Sequence, residues 1–299
     1  MKGFKKLFEK IIGNQETKIY LENTIKNKKI ANSYMFIGNK GIGKKLFARE
    51  YAKNIMCQEN GKCNDQCNSC IKFNANSNPD YYELVPENQK IKIDNIRLLQ
   101  EKIAEKPIIS NKKIYVIDNA DLMTEESQNC LLKTLEEPPE YSVIILVVSN
   151  ESKILPTIKS RCIKINFSRL TPEELKKYLE VENKLKQYSN EDLNNIIELL
   201  DGSLEKVDTI EEKKKNYDEL NIIVENLEKG NKLELFNNSE ILYNQKENII
   251  DILSYMNIIL FKRKMINAVE IVEKTKKKIL ANNNYEMCID YLIINITNP

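Results

Sequence analysis

The sequence of 299 residues contains no histidine and no tryptophan. Without an imidazole, every mechanism built on a histidine base is excluded, Ser-His-Asp and Cys-His arrangements included. No convincing nucleophile stands out in its place, so a self-contained hydrolase has little support. Excess charge is also missing. Lys and Arg number 46 against 44 Asp and Glu, a formal net charge of +2, so no global field draws the chain onto nucleic acid or an anionic membrane. Any contact with DNA has to come from a local patch. No apolar run approaches the roughly 18 residues of a membrane helix. Residues 1–13 are basic and amphipathic, with neither a secretory apolar segment nor a small-residue cleavage site. A cytoplasmic protein with no membrane partner is expected. The length allows two or three domains with their own cores.

Cysteine, by contrast, is concentrated. Of seven cysteines, Cys57, Cys63, Cys67 and Cys70 fall in one short stretch. In a reducing compartment such crowding points to metal rather than disulfides. Four thiolates close a tetrahedral shell around Zn²⁺ and leave no open position for a substrate, so the expected role is structural. Cys130, Cys162 and Cys288 are isolated and read as packing residues.

Up to residue 167 short β-rich runs alternate with amphipathic helical stretches, the pattern of a parallel sheet covered by helices. The expected strands are Ser33–Ile37, Tyr81–Val85, Ile114–Asp118, Val143–Val148 and Cys162–Phe167. A boundary follows, where Thr171, Pro172 and Glu174 have the makings of a helix start. Residues 168–207 read as a small helical domain. Residues 208–299 are helical again, with an apolar stripe at Ile249, Ile252, Leu253 and Met256 that suits a bundle or a partner-facing surface.

Three motifs carry chemistry. Gly38-Asn39-Lys40-Gly41-Ile42-Gly43-Lys44-Lys45 lies between an expected strand and an expected helix, the setting of a phosphate-binding loop. Gly41 and Gly43 accept positive φ, and Lys44 would reach the phosphates of ATP or ADP. The next position should offer a hydroxyl to Mg²⁺. Lys45 stands there, and an ammonium cannot ligate a cation. Asp118, at the end of an apolar strand, is placed to hold a metal through water. Asn119 follows it, and an amide cannot act as a general base. The two departures remove separate catalytic parts, so hydrolysis is not expected. The third motif is Ser160-Arg161-Cys162. An arginine in that setting is ordinarily a surface ion-pair partner.

Together these segments resemble the bacterial clamp-loader AAA+ family. The resemblance covers about residues 4–207. It is carried by Phe8 to Gln15, Asn32 to Phe36, the phosphate loop, the cysteine module, Asn78-Pro79-Asp80-Tyr81-Tyr82, Asp118 to Asp121, Leu131 to Pro139, and Ser160-Arg161-Cys162. It implies an α/β AAA+ P-loop domain over 1–167 with a zinc-binding insertion at 57–70. A helical lid over 168–207 and an all-α collar over 208–299 would follow. It also implies a sensor role for Asn150 and, for Arg161, an arginine finger directed into a neighbouring subunit's ATP site. The implied partners are gamma or tau and delta subunits and, through the assembly, a sliding clamp and primed DNA. The family's motor subunits keep the Walker A hydroxyl and the glutamate after the aspartate, and carry an Arg where Glu205 follows Gly202-Ser203-Leu204 here. The chain departs from them at all three positions, which implies a member that no longer hydrolyses ATP. An active motor-type ATPase and, from another class, a zinc-stabilised nucleic-acid-binding module are the alternatives.

Overall fold

A computed structural model describes residues 7–9, 11–59, 61, 63–182, 188–210, 213–231 and 239–296. The chain divides into two compact units, Met1–Glu174 and Leu175–Pro299.

The first unit is built on five parallel strands, β1 (Ser33–Ile37), β2 (Tyr81–Leu84), β3 (Lys113–Ile117), β4 (Ser142–Val148) and β5 (Ile163–Asn166). Their order in the sheet is β2-β3-β4-β1-β5. Each expected strand is present, with ends shifted by a residue or so. Helix α1 (Gln15–Lys26) precedes β1; parallel neighbours need crossover connections, and α2 (Lys44–Met56), α3 (Asn68–Asn74), α4 (Ile93–Ala104), α5 (Glu125–Glu136) and α6 (Pro156–Lys159) supply them. Strands β3 and β4 are buried along their whole length, as their continuous apolar runs require. The two-residue period of a strand sorts their side chains into two cores. Tyr34, Phe36, Val116 and Ile145 join Phe47, Tyr51 and Ile55 of α2 on one face. Met35, Tyr115, Ile117 and Leu146 join Ile96 and Leu99 of α4 and Leu131 and Leu135 of α5 on the other. The sheet is therefore covered on both faces, and the loops after β1, β3 and β4 gather at its carboxyl edge, where such sheets bind ligands.

Asp80 has no exposed surface. Its carboxylate accepts the backbone N–H groups of Ile108, Ile109 and Ser110 at 2.7, 2.8 and 2.6 Å. Nearby, Asn78 donates to the Ser69 carbonyl at 3.0 Å, tying α3 to the start of β2. Three charge-assisted bonds to one buried carboxylate leave three donors orphaned if it is removed. Asp80→Ala is expected to cost about 3 kcal/mol, a cost that denaturant unfolding would measure. A loss below about 1 kcal/mol would mean that water replaces the carboxylate freely.

The expected helix start at Thr171 is formed. Glu174 donates its backbone N–H to Thr171 Oγ1 and accepts the Thr171 N–H on Oε2, at 3.2 and 3.0 Å, opening α7 (Pro172–Val181). The second unit holds α8 (Asn190–Leu200), α9 (Val207–Ile210), α10 (Lys214–Glu228), α11 (Glu240–Asn244), α12 (Ile249–Lys262), α13 (Ile266–Leu280) and α14 (Tyr285–Ile296). The apolar stripe Ile249, Ile252, Leu253 and Met256 is buried, and α12 packs against α8, α10 and α13. Helix α8 falls in the segment expected as a lid and α12 in the segment expected as a collar, so the two segments share contacts within this unit. Among the described residues no helix is long and apolar enough to cross a membrane.

Candidate functional site

The phosphate-loop sequence does form a turn between β1 and α2. Gly43 caps α2 at φ 85°, and Gly41 takes φ 76°, both in the left-handed region that favours glycine. A side chain at Gly38 would meet the Phe167 carbonyl oxygen at 2.6 Å, so only glycine fits that close approach. Lys44 opens α2 and is buried. Its ammonium donates to the carbonyls of Gly38 and Asn39, each at 2.6 Å, and to Ser149 Oγ at 3.2 Å. Burial pulls its pKa down to about 8, against the opposing pull of Asp121 and Asp118. The loop is thus tied up by its own lysine. With the Asn39 amide oriented to place its oxygen toward Arg169, that guanidinium closes the loop from the other side.

Lys45 pairs with the carboxylates beside the loop. Its ammonium lies 2.5 Å from Glu83 Oε1 and 3.2 Å from Asp118 Oδ2. Burial acts to lower its pKa, but the hydrogen bond to Glu83 and the Asp118 charge outweigh it and the net shift is upward, so Lys45 stays charged. A lysine cation therefore pairs with the carboxylate that would have to hold a hydrated Mg²⁺. Asp118 also accepts the Asn119 N–H at 3.0 Å, and Asn119 takes a left-handed φ of 47° to make that turn. Asn150 lies two residues past β4, where its side-chain oxygen accepts from Ser152 N and Oγ at 3.0 and 2.6 Å and caps a 3-10 turn. Its neighbour Ser149 is the residue that touches Lys44.

The cysteine cluster assembles as the spacing requires. Cys57 ends α2, Cys67 caps α3, Cys70 lies in the first turn of α3, and Cys63 sits in the turn between. Their sulfurs all lie within 4.8 Å of one another. A tetrahedral Zn²⁺ with bonds of about 2.3 Å places its sulfurs about 3.8 Å apart, so the donor set and its spread fit that ion. Cys57, Cys63 and Cys70 are buried and Cys67 is half-buried. Hydrogen bonds from the Cys70 and Cys63 thiols hold Cys57 low, and the Cys57 thiolate together with burial pushes Cys70 up.

Arg161 follows the short helix α6 and precedes buried Cys162. Its Nη1 donates to the Thr157 carbonyl at 2.8 Å and to Ser160 Oγ at 3.2 Å. Its Nη2 donates to Glu136 Oε1 at 2.6 Å. The side chain is about one-third exposed, at 34%.

The structure thus brings Lys44, Lys45 and Asp118 together and leaves Arg161 at a separate cluster with Glu136. Sequence reasoning missed Glu83, Ser149, Asp121 and Glu136 as site residues. Asp121 accepts the Ser149 N–H at 2.9 Å, joining the ends of β3 and β4 under Lys44. A glutamate inside the β-rich run Tyr81–Leu84 was the one available signal for Glu83.

A sequence model described as DNA polymerase III, delta subunit, matches residues 13–171. The DNA polymerase III subunit delta' of Bacillus subtilis (strain 168) is 35% identical over 157 residues, 52% of this chain and 47% of that protein. The DNA polymerase III subunit gamma/tau of Mycoplasma pneumoniae is 35% identical over 173 residues, 58% of this chain and 25% of that protein. The matched stretch thus spans between a quarter and about half of these curated relatives. A DNA polymerase III, gamma subunit-related protein from Thermotoga maritima superimposes with a TM-score of 0.50 at 18% identity, over 93% of this chain and 98% of that one. That likeness concerns the fold.

Proposed function

The chain belongs to the DNA polymerase III, delta subunit family, a clamp-loader family with this AAA+ fold, and from that premise we propose that it is the delta-prime-type member: a subunit without ATP hydrolysis of its own. The observation that carries this reading is the ammonium of Lys45 on the Asp118 carboxylate at 3.2 Å. A hydrolysing site needs that carboxylate for Mg²⁺ and needs a carboxylate base at the next position, where Asn119 stands.

In this role the chain sits beside a gamma or tau subunit and with delta in a clamp-loader ring. Arg161 reaches the neighbour's ATP and neutralises charge developing on the transferred phosphoryl group. The ring as a whole would open a sliding clamp and place it on primed DNA. Residues 168–207 would serve as the lid and 208–299 as the collar that holds the ring. Cys57, Cys63, Cys67 and Cys70 would hold Zn²⁺, which folds a loop too polar to build a core. ATP or ADP in the phosphate loop would have to displace Lys44 from the Gly38 and Asn39 carbonyls.

Identity to gamma/tau relatives as high as to delta' keeps a second reading in view, that of an active motor-type ATPase. The two separate in one assay. The isolated chain is expected to turn over ATP no faster than its Lys44→Ala variant. Turnover near 1 s⁻¹ or above, the lower end of typical enzyme rates, abolished by Lys44→Ala, would establish the motor reading instead.

A further inference from the structure

We propose that Glu136 is a positioning residue for Arg161, so that the segments Leu131 to Pro139 and Ser160 to Cys162 form one device for presenting a guanidinium to a neighbouring phosphate. The proposal rests on the reading of Arg161 as acting in trans.

Each segment has an anchor in the same core. Leu131 and Leu135 of α5 pack there with Ile158 of α6 and Cys162. These anchors fix the end of α5 beside the turn after α6, and they force the residues next to them, Glu136 and Arg161, outward. Glu136 is the last residue of α5, and Pro138 and Pro139 just beyond cannot continue the helix. A carboxylate at a helix C-terminus faces the negative end of the dipole and is unfavourable there until a cation joins it. Arg161 is that cation. Its three contacts, to Thr157 O, Ser160 Oγ and Glu136 Oε1, engage both terminal nitrogens from the α5–α6 side. A guanidinium carries five N–H donors, so three such bonds leave donors for an incoming phosphate oxygen without breaking the hold.

The pair is also a weak one. The side chains of Glu136 and Arg161 are 48% and 34% exposed, so solvent screens their attraction. Glu136 therefore narrows the directions in which the long side chain points without competing strongly with a polyphosphate. What it contributes is orientation before encounter, the component of catalysis that a small misplacement destroys.

The test is ATP turnover by the full clamp loader assembled with gamma or tau and delta subunits, using this chain as wild type, Glu136→Ala, Glu136→Gln, Arg161→Ala and the double variant. Glu136→Ala is expected to lower kcat about fivefold with KM for ATP unchanged. Glu136→Gln keeps an oxygen acceptor and should recover most of that loss. In the Arg161→Ala background, Glu136→Ala should have no further effect. Wild-type turnover with Glu136→Ala, alongside a loss with Arg161→Ala, would overturn the positioning role alone. Wild-type turnover with Arg161→Ala would overturn both. A Glu136→Ala loss that persists in the Arg161→Ala background, or that follows a fall in melting temperature of the isolated chain, would assign Glu136 to the fold instead.

Discussion

Arg161→Ala is expected to lower ATP turnover of the assembled loader on the order of 10³-fold at the one site this chain faces, with subunit assembly unchanged. The size follows from what a trans-acting guanidinium does. The phosphoryl transition state spreads negative charge over its equatorial oxygens, and a planar cation delivered into a site closed to water meets it with fixed donors. The assembly should survive because Arg161 is held within its own unit, by Thr157, Ser160 and Glu136, and none of its described bonds supports the core. Cys162, next to it, is the buried member of the motif. Arg161→Lys should recover little, since an ammonium lacks the fork that keeps Glu136 and phosphate contacts at once. Turnover within twofold of wild type at the site this chain faces, with Arg161→Ala, would reduce this residue to a surface ion pair.

The second large effect concerns the cysteines. Protein purified under reducing conditions should carry one Zn²⁺ per chain, and Cys63→Ser should remove it and lower the melting temperature by about 10 °C. The physical reason is that the loop has no other apolar cluster of its own among the described residues. Its buried apolar cluster consists of Cys57, Cys63 and Cys70, with Cys67 packed against them. Four cysteines packed on one another supply little folding free energy of their own, and a bound metal would supply it. Affinity should fall below neutral pH. Protons compete with the metal for the thiolates there. Cys288→Ser, at a buried cysteine of the second unit, is the control; it should leave the metal content at one. A chain that holds no metal and melts unchanged with chelator would leave the four sulfurs as packing.

Much of this was legible locally. The strands announced themselves as short β-rich runs, and the buried length of Val143–Val148 followed from its unbroken apolar character. Gly41, Gly43 and Lys44 fell in a turn because glycine supplies the positive φ that a strand-to-helix reversal needs. Thr171 and Glu174 made their capping box because both partners lie within one helical turn. Residues brought in by sheet order were not legible. Glu83 reaches Lys45 only because β2 lies beside β3, in a register that pairs Glu83 with Val116. Glu136 reaches Arg161 only because α5 and α6 share a core. The end of β4 shows how narrow the margin is. Just past the strand, adjacent residues take different parts: Ser149 meets Lys44 while Asn150 caps the next turn. For Arg161, the sequence by itself suggested a surface ion pair, and the ion pair with Glu136 is there.

The central claim is that this chain contributes to hydrolysis through Arg161 and not through its own phosphate loop. It is tested most directly by ATP turnover of the loader assembled from motor and delta subunits with either the Lys44→Ala or the Arg161→Ala form of this chain. The account predicts wild-type turnover with Lys44→Ala and a deep loss with Arg161→Ala. The reverse pattern, with turnover surviving Arg161→Ala and lost with Lys44→Ala, would contradict it.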